Sequence, residues 1–198
     1  MIILGLTGSI GMGKSTTAEM FRKAGVPVYD ADAAVHALYS GAAVPLIEAA
    51  FPGTTRNGVV DRVNLSRIVL ADPVQMQRLE ALVHPLVLAE RQKFLNEHRI
   101  LNTPLVVLDI PLLFETGAQD SVDQIVVVSA PEDMQRLRVL SRPNMDETRF
   151  LSILSKQMSD SVKRARADFI IDTGKGLEAA EHQVHDLLKH FSGSNKYA

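Results

Sequence analysis

Gly8-Ser9-Ile10-Gly11-Met12-Gly13-Lys14-Ser15 sets glycines, a lysine and a hydroxyl in the pattern G-x-x-x-x-G-K-[ST], between an apolar run and a helical one. Glycines permit backbone turns closed to other residues, so successive N–H groups can point inward at phosphate oxygens. The helix expected next adds its positive N-terminal end. In that arrangement Lys14 bridges the β- and γ-phosphates of a nucleotide, and the Ser15 hydroxyl ligates the Mg²⁺ that travels with it. A ligand-free strand-to-helix turn would account for the glycines but not for the lysine and serine after them.

Other residues have the right types for phosphoryl chemistry, each with a plainer use beside it. Asp30 and Asp32 follow the second apolar run, and in a parallel α/β sheet ligands collect beyond the carboxyl ends of the strands. One carboxylate there can accept a proton from an attacking hydroxyl or hold Mg²⁺ through water; the plainer use is a helix N-cap, more so for Asp30 than for Asp32. Arg138 and Arg142 are four apart on an expected helix, a spacing that suits a transferring phosphoryl group and equally a solvated basic face. Asp109 ends the third strand, where it either joins the Mg²⁺ site or caps the turn before Pro111. His84-Pro85 interrupts the long middle stretch between two expected helices. No second ligand stands at metal spacing, so phosphate or ribose contact is the functional alternative to a structural histidine.

Hydrolysis of the nucleotide by a switch or mechanical NTPase is the rival from another class. A guanine-reading N-K-x-D segment is not found in the sequence, which favours transfer to a small molecule. The acceptor is open at this point: a nucleoside monophosphate and another hydroxylated metabolite fit equally.

The elements that must position these residues are five short apolar runs at 2–6, 26–29, 105–108, 125–128 and 169–171. They show little alternation, as strands buried on both faces do. Helical patterns separate them, notably 14–24, stopping at Gly25, 86–98, and a segment opening at Pro131-Glu132. The expected architecture is a three-layer α/β fold with a five-stranded parallel sheet. Residues 31–102 read as helix and turn throughout, broken at Gly41, Pro52-Gly53, Asn57-Gly58, Pro73 and Pro85, and are the natural substrate module. Residues 142–166, dense in arginine and lysine, are the place for a lid, leaving a core of about 1–30, 103–141 and 167–191 in a single domain; 192–198 read as a frayed tail.

Composition agrees. At 198 residues, with 46% hydrophobic and 22% charged residues, the chain is sized for one α/β core with an appended module. A formal net charge of -2 supplies no global field for nucleic acid or an anionic membrane, so phosphate affinity must be local. No cysteine is present, which removes disulfides and thiolate chemistry. The apolar runs are too short to span a bilayer and no signal peptide opens the chain, so a cytoplasmic protein without an obligatory protein partner is expected.

Taken in order, G-S-I-G-M-G-K-S, Tyr29-Asp-Ala-Asp32, Gly58-Val-Val-Asp-Arg62, His84-Pro85, Asp109-Ile-Pro-Leu-Leu-Phe-Glu115 and Ala167-Asp-Phe-Ile-Ile-Asp172 resemble the dephospho-CoA kinase family over nearly the whole chain. The resemblance implies ATP and dephospho-CoA as substrates, with Mg²⁺, and phosphorylation of the ribose 3′-hydroxyl to give coenzyme A. It assigns Gly11, Met12, Gly13, Lys14, Ser15 and Thr16 to the ATP phosphates and Asp32 to the acceptor hydroxyl as base. Arg142 becomes the lid arginine, with Arg138 beside the substrates. His84 and Pro85 would lie in the CoA-binding insertion, and Leu113 and Glu115 would line the acceptor site. Many members carry arginine at the position of His36, glycine at that of Ser9 and asparagine at that of Thr173, and Asp109 is not uniform among them.

Overall fold

The computed structural model describes residues 1–193. Along the chain run β1 (Ile2–Thr7), α1 (Lys14–Lys23), β2 (Val28–Asp30), α2 (Ala31–Leu38), α3 (Val44–Ala50), β3 (Thr55–Arg56), β4 (Val59–Val60), α4 (Arg62–Val69) and α5 (Pro73–Ile100). They are followed by β5 (Leu105–Asp109), β6 (Gln124–Ser129), α6 (Glu132–Leu140), α7 (Glu147–Leu154), α8 (Asp160–Ala165), β7 (Phe169–Asp172) and α9 (Leu177–Gly193). No helix among the described residues is long and apolar enough to cross a membrane.

The chain divides into two compact units, one of Met1–Tyr29 with the chain from Asn102 on, the other of Asp30–Leu101. The first is built on a five-stranded sheet in the order β2-β5-β1-β6-β7, with β1 parallel to both β5 and β6, and β6 parallel to β7. Its central strands are nearly pure Leu, Ile and Val because both faces are covered. Leu4, Leu6, Val107, Val126, Val128 and Ile171 pack with Phe21 of α1 and with Val184 and Leu187 of α9 in one apolar cluster. Full burial of such a side chain contributes about 1.5–3 kcal/mol.

The second unit has its own core, in which Leu38, Ile47, Phe51, Val60, Leu65, Leu79 and Val83 meet. Two sequence expectations are corrected in it. The segment is not all helix and turn: Asn57-Gly58, taken above as a break between helices, turns the antiparallel hairpin β3–β4. Both turn residues have positive φ, 52° and 76°, the conformation that an Asn-Gly hairpin turn supplies. Glu48 of α3 ties the hairpin down by accepting from the N–H groups of Gly53 and Thr55 and from the Thr55 hydroxyl. Nor do His84 and Pro85 interrupt anything, since both lie inside the continuous α5. Pro73, also read as a break, does stand at one: α4 ends at Val69 and α5 opens at Pro73, behind the capping carboxylate of Asp72, where a proline is tolerated.

Arg138 lies in α6, but that helix ends at Leu140 and leaves Arg142 in the turn beyond, not on the same helix as expected. Of the expected tail, Ser192 belongs to α9, where its hydroxyl donates to the Leu188 carbonyl at 3.0 Å; residues 194–198 lie outside the described residues.

Candidate active site

In the sheet unit, β1 ends at Thr7 and the chain turns at Gly8. A Cβ on Gly8 would stand 2.6 Å from the Val128 carbonyl oxygen, so the loop can leave the sheet here only through glycine. Gly13, at φ 95°, is left-handed and opens α1. No side chain caps α1 and no acid lies in its first turn, which leaves its N-terminal N–H groups and positive pole for an anion. Ser15 and Thr16 are exposed there. The Lys14 ammonium donates at 2.5 Å to Oδ1 of Asp109, a carboxylate only 3% exposed at the end of β5. That contact aims the ammonium and takes one of its three N–H donors.

Behind the loop stands a set of polar side chains. Thr173 donates to the Met12 carbonyl at 2.7 Å, and Arg138 donates to both Oγ1 and the carbonyl of Thr173, each at 2.9 Å. Arg138 therefore braces the loop through Thr173. Beside them opens a cavity of about 320 Å³ lined by Gly11, Thr16, Arg138, Arg142, Thr173, Gly176 and Leu177, among others. Arg142 is exposed on its rim, and among the described residues its guanidinium has no hydrogen-bond or ion-pair partner.

The second unit holds Asp32. Asp30 caps α2, its carboxylate accepting from the Ala33 N–H at 2.9 Å, so the capping role falls to Asp30. Asp32, in the first turn, has an exposed carboxylate. It lines an open hollow of about 790 Å³ together with Val35, His36, Ser40 and Arg62. Arg62 lies 2.9 Å from His36 Nδ1. A guanidinium can only donate, so Nδ1 accepts and the ring proton sits on Nε2. Arg62 also lies 6.0 Å from the centre of the Tyr39 ring, within cation–π range.

His84 and Pro85 are exposed on α5 and are not among the residues lining that hollow. Leu113, expected to line the acceptor site, is fully buried beside Gly5 and packs in the sheet unit. Glu115 is committed within its own unit. Its Oε1 accepts from the Met158 N–H at 2.8 Å and lies 2.9 Å from Nζ of the fully buried Lys163, by distance an ion pair rather than a well-formed hydrogen bond. Sequence reasoning missed Lys163 as a partner of Glu115 because nothing local relates positions so far apart. It missed Gln135 and Gln157, which bond the carbonyl and the N–H of Ile10 in the loop, and Thr173, because none belongs to the loop's motif.

Burial pushes the Glu115 carboxyl up, but the Lys163 ammonium and the Met158 N–H outweigh burial and hold its pKa below the usual glutamate range. A depressed folded-state pKa contributes stability that is complete above the unfolded value and lost as pH falls through the folded one. Glu115→Gln, which leaves the Lys163 charge buried and unpaired, is expected to cost about 3 kcal/mol near neutrality. Melting curves of wild type and variant should converge as the pH drops below about 4; a gap that stays constant with pH would contradict the pairing.

The sequence profile of the dephospho-CoA kinase family matches residues 2–178. The chain belongs to the dephospho-CoA kinase family. It is 58% identical over 193 residues to the dephospho-CoA kinase of Mesorhizobium japonicum, covering 98% of each chain. With that of Bradyrhizobium diazoefficiens it shares 59% over 188 residues, 95% of this chain and 94% of the relative. Among solved structures it superposes on the Thermus thermophilus protein TT1252 with a TM-score of 0.82 at 36% identity, covering 96% of this chain and 97% of that one. The motifs that carried the resemblance thus sit in a chain that matches the dephospho-CoA kinase family almost end to end.

Proposed function

We propose that this chain transfers the γ-phosphoryl group of ATP to the ribose 3′-hydroxyl of dephospho-CoA, giving coenzyme A and ADP, the last step of coenzyme A biosynthesis. The observation that carries the reading is a complete phosphate-binding loop, with Lys14 and the uncapped α1 in place, in a chain matching the dephospho-CoA kinase family over residues 2–178. Family membership also removes the alternatives left open above, a kinase for another metabolite and an NTPase switch.

Phosphoryl transfer asks mainly for positioning and charge stabilisation. The N–H groups of Gly11, Met12, Gly13, Lys14, Ser15 and Thr16 surround the phosphates, and Lys14, aimed by Asp109, contacts the β- and γ-oxygens. The donor's base occupies the cavity bounded by Arg138, Thr173 and Leu177. Among the described residues no cluster of three His, Cys, Asp or Glu could hold a metal ion, but the Ser15 hydroxyl and the Asp109 carboxylate are the hard oxygen donors that Mg²⁺ takes beside nucleotide phosphates. When bound there, Mg²⁺ would supply positive charge to offset that of the phosphates. Asp32 orients the acceptor hydroxyl and takes its proton, and Arg142 covers the transferring group. The unit Asp30–Leu101 binds dephospho-CoA through Asp32, His36 and Arg62, with His84 and Pro85 as the contacts the family resemblance adds. Leu113 and Glu115 act within the sheet unit, Leu113 through packing and Glu115 through its pair with Lys163. With ATP as donor, the setting is the cytoplasm.

The test is acceptor dependence. Purified protein with ATP and Mg²⁺ should release ADP with dephospho-CoA and not with AMP, shikimate or no acceptor. Release on AMP or shikimate alone would move the chain to another substrate, and equal release without acceptor would make it an NTPase.

A further inference from the structure

Gln157 lies in the turn between α7 and α8, outside every motif that marks the phosphate loop, yet its side chain reaches that loop. Its Oε1 accepts from the N–H of Ile10 at 3.0 Å. On the other side of the same residue, Nε2 of the buried Gln135 donates to the Ile10 carbonyl at 2.7 Å. Both backbone polar groups of Ile10 are thus held by side chains, one from α6 and one from the turn after α7.

That turn is itself anchored. The Met158 N–H is taken by Glu115, Glu115 pairs with Lys163 of α8, and Asp160 accepts from the Ser129 hydroxyl at 2.7 Å, at the end of β6. An amide oxygen fixed this firmly sets the orientation of the backbone it binds. Ile10 immediately precedes Gly11, the first of the N–H donors that face the phosphates. If its backbone rotates, those donors turn with it, and donors misaimed by an ångström lose the charge stabilisation they supply.

We propose that Gln157 is a positioning residue for phosphoryl transfer: with Gln135 it clamps the backbone of Ile10, keeps the loop in the shape the transition state demands, and touches neither substrate. The kinetic part of this proposal rests on the kinase reading above.

Gln157→Leu removes the acceptor and keeps the bulk. At temperatures where the variant is folded, kcat should fall on the order of ten- to a hundredfold, with KM for ATP moving less than about threefold. Hydrogen exchange at the Ile10 amide should accelerate by about tenfold or more, while amides of β6 keep their protection. Since Gln135 and Gln157 act on one residue, Gln135→Leu combined with Gln157→Leu should cost little more than the worse single change. A packing role would lower the melting temperature and leave kcat per folded enzyme within about twofold; that result, additive losses, or an unchanged Ile10 exchange rate would overturn the proposal. The exchange measurement needs no acceptor, so it judges the clamp even if dephospho-CoA proves not to be the substrate. Should Gln157→Leu not fold, Gln157→Met carries the same expectations, and failure of both to fold would assign Gln157 to structure alone.

Discussion

Replacing Asp32 with asparagine leaves ATP binding intact and lowers turnover of dephospho-CoA by about two to four decades, the range that a positioned general base contributes. Asparagine has the shape of aspartate and can still orient a hydroxyl, but it cannot take the proton. The folded structure should tolerate the change. Asp30, not Asp32, caps α2, and the Asp32 carboxylate is exposed in the first helical turn. Losing its attraction to the helix N-terminus costs about 0.3–1 kcal/mol. A melting curve close to wild type, an unchanged affinity for ATP and a collapsed kcat would therefore appear together. Turnover within about threefold of wild type would remove Asp32 as the base.

Lys14→Met should be costly in a different way. In the proposed mechanism the ammonium neutralises the β- and γ-oxygens, so its loss is expected to lower kcat on the order of 10² to 10³, the cost of removing one preorganised donor from a developing charge. It also takes a cation from Asp109, whose carboxylate is 3% exposed. Removing one partner of a buried pair is destabilising by about 3 kcal/mol, so melting temperature and activity should fall together. The two effects separate when kcat is measured per folded molecule well below the melting transition. Asp109→Asn supplies the contrast: its amide oxygen still accepts from Lys14, so the ammonium stays aimed and activity falls less than in Lys14→Met. Equal losses in both variants would mean that the charge of the Asp109 carboxylate, as a donor to Mg²⁺, matters as much to turnover as the Lys14 ammonium.

Much of this molecule is legible in its sequence because a strand covered on both faces is a continuous apolar run. The runs ending at Leu6, Tyr29, Val128 and Ile171 locate four strands, yet each strand continues onto one more residue, Thr7, Asp30, Ser129 and Asp172. Those polar ends pair in the sheet: Thr7 opposite Val127, and Ser129 opposite Asp172. Apolarity therefore finds the sheet but stops just short of the edge where the chemistry lies. The hairpin at Asn57-Gly58 carried its signal openly, but two-residue strands are too short for alternation to register.

Pro85 misled for an energetic reason. A proline inside a helix removes a hydrogen bond and costs about 3 kcal/mol, a reasonable ground for placing a break. In α5 the flanking Leu79, Val83, Leu86 and Val87 all pack in the second core, and burial on both sides of the proline offsets that cost. The loop's own residues were readable because their spacing is local. Their supports, Gln135, Gln157 and Thr173, were not, since each acts through a contact between distant parts of the chain. The Glu115–Lys163 pair was hidden in the same way, so a residue expected at the acceptor proves to hold the turn before α8.

The most direct test of the central claim is the product itself. Wild-type protein incubated with ATP, Mg²⁺ and dephospho-CoA should give a product one phosphoryl group heavier, whose new ³¹P resonance couples to the ribose 3′-proton and which co-elutes with coenzyme A. An acceptor of unchanged mass while ADP accumulates, or a phosphoryl group attached anywhere other than the 3′-oxygen, would contradict it.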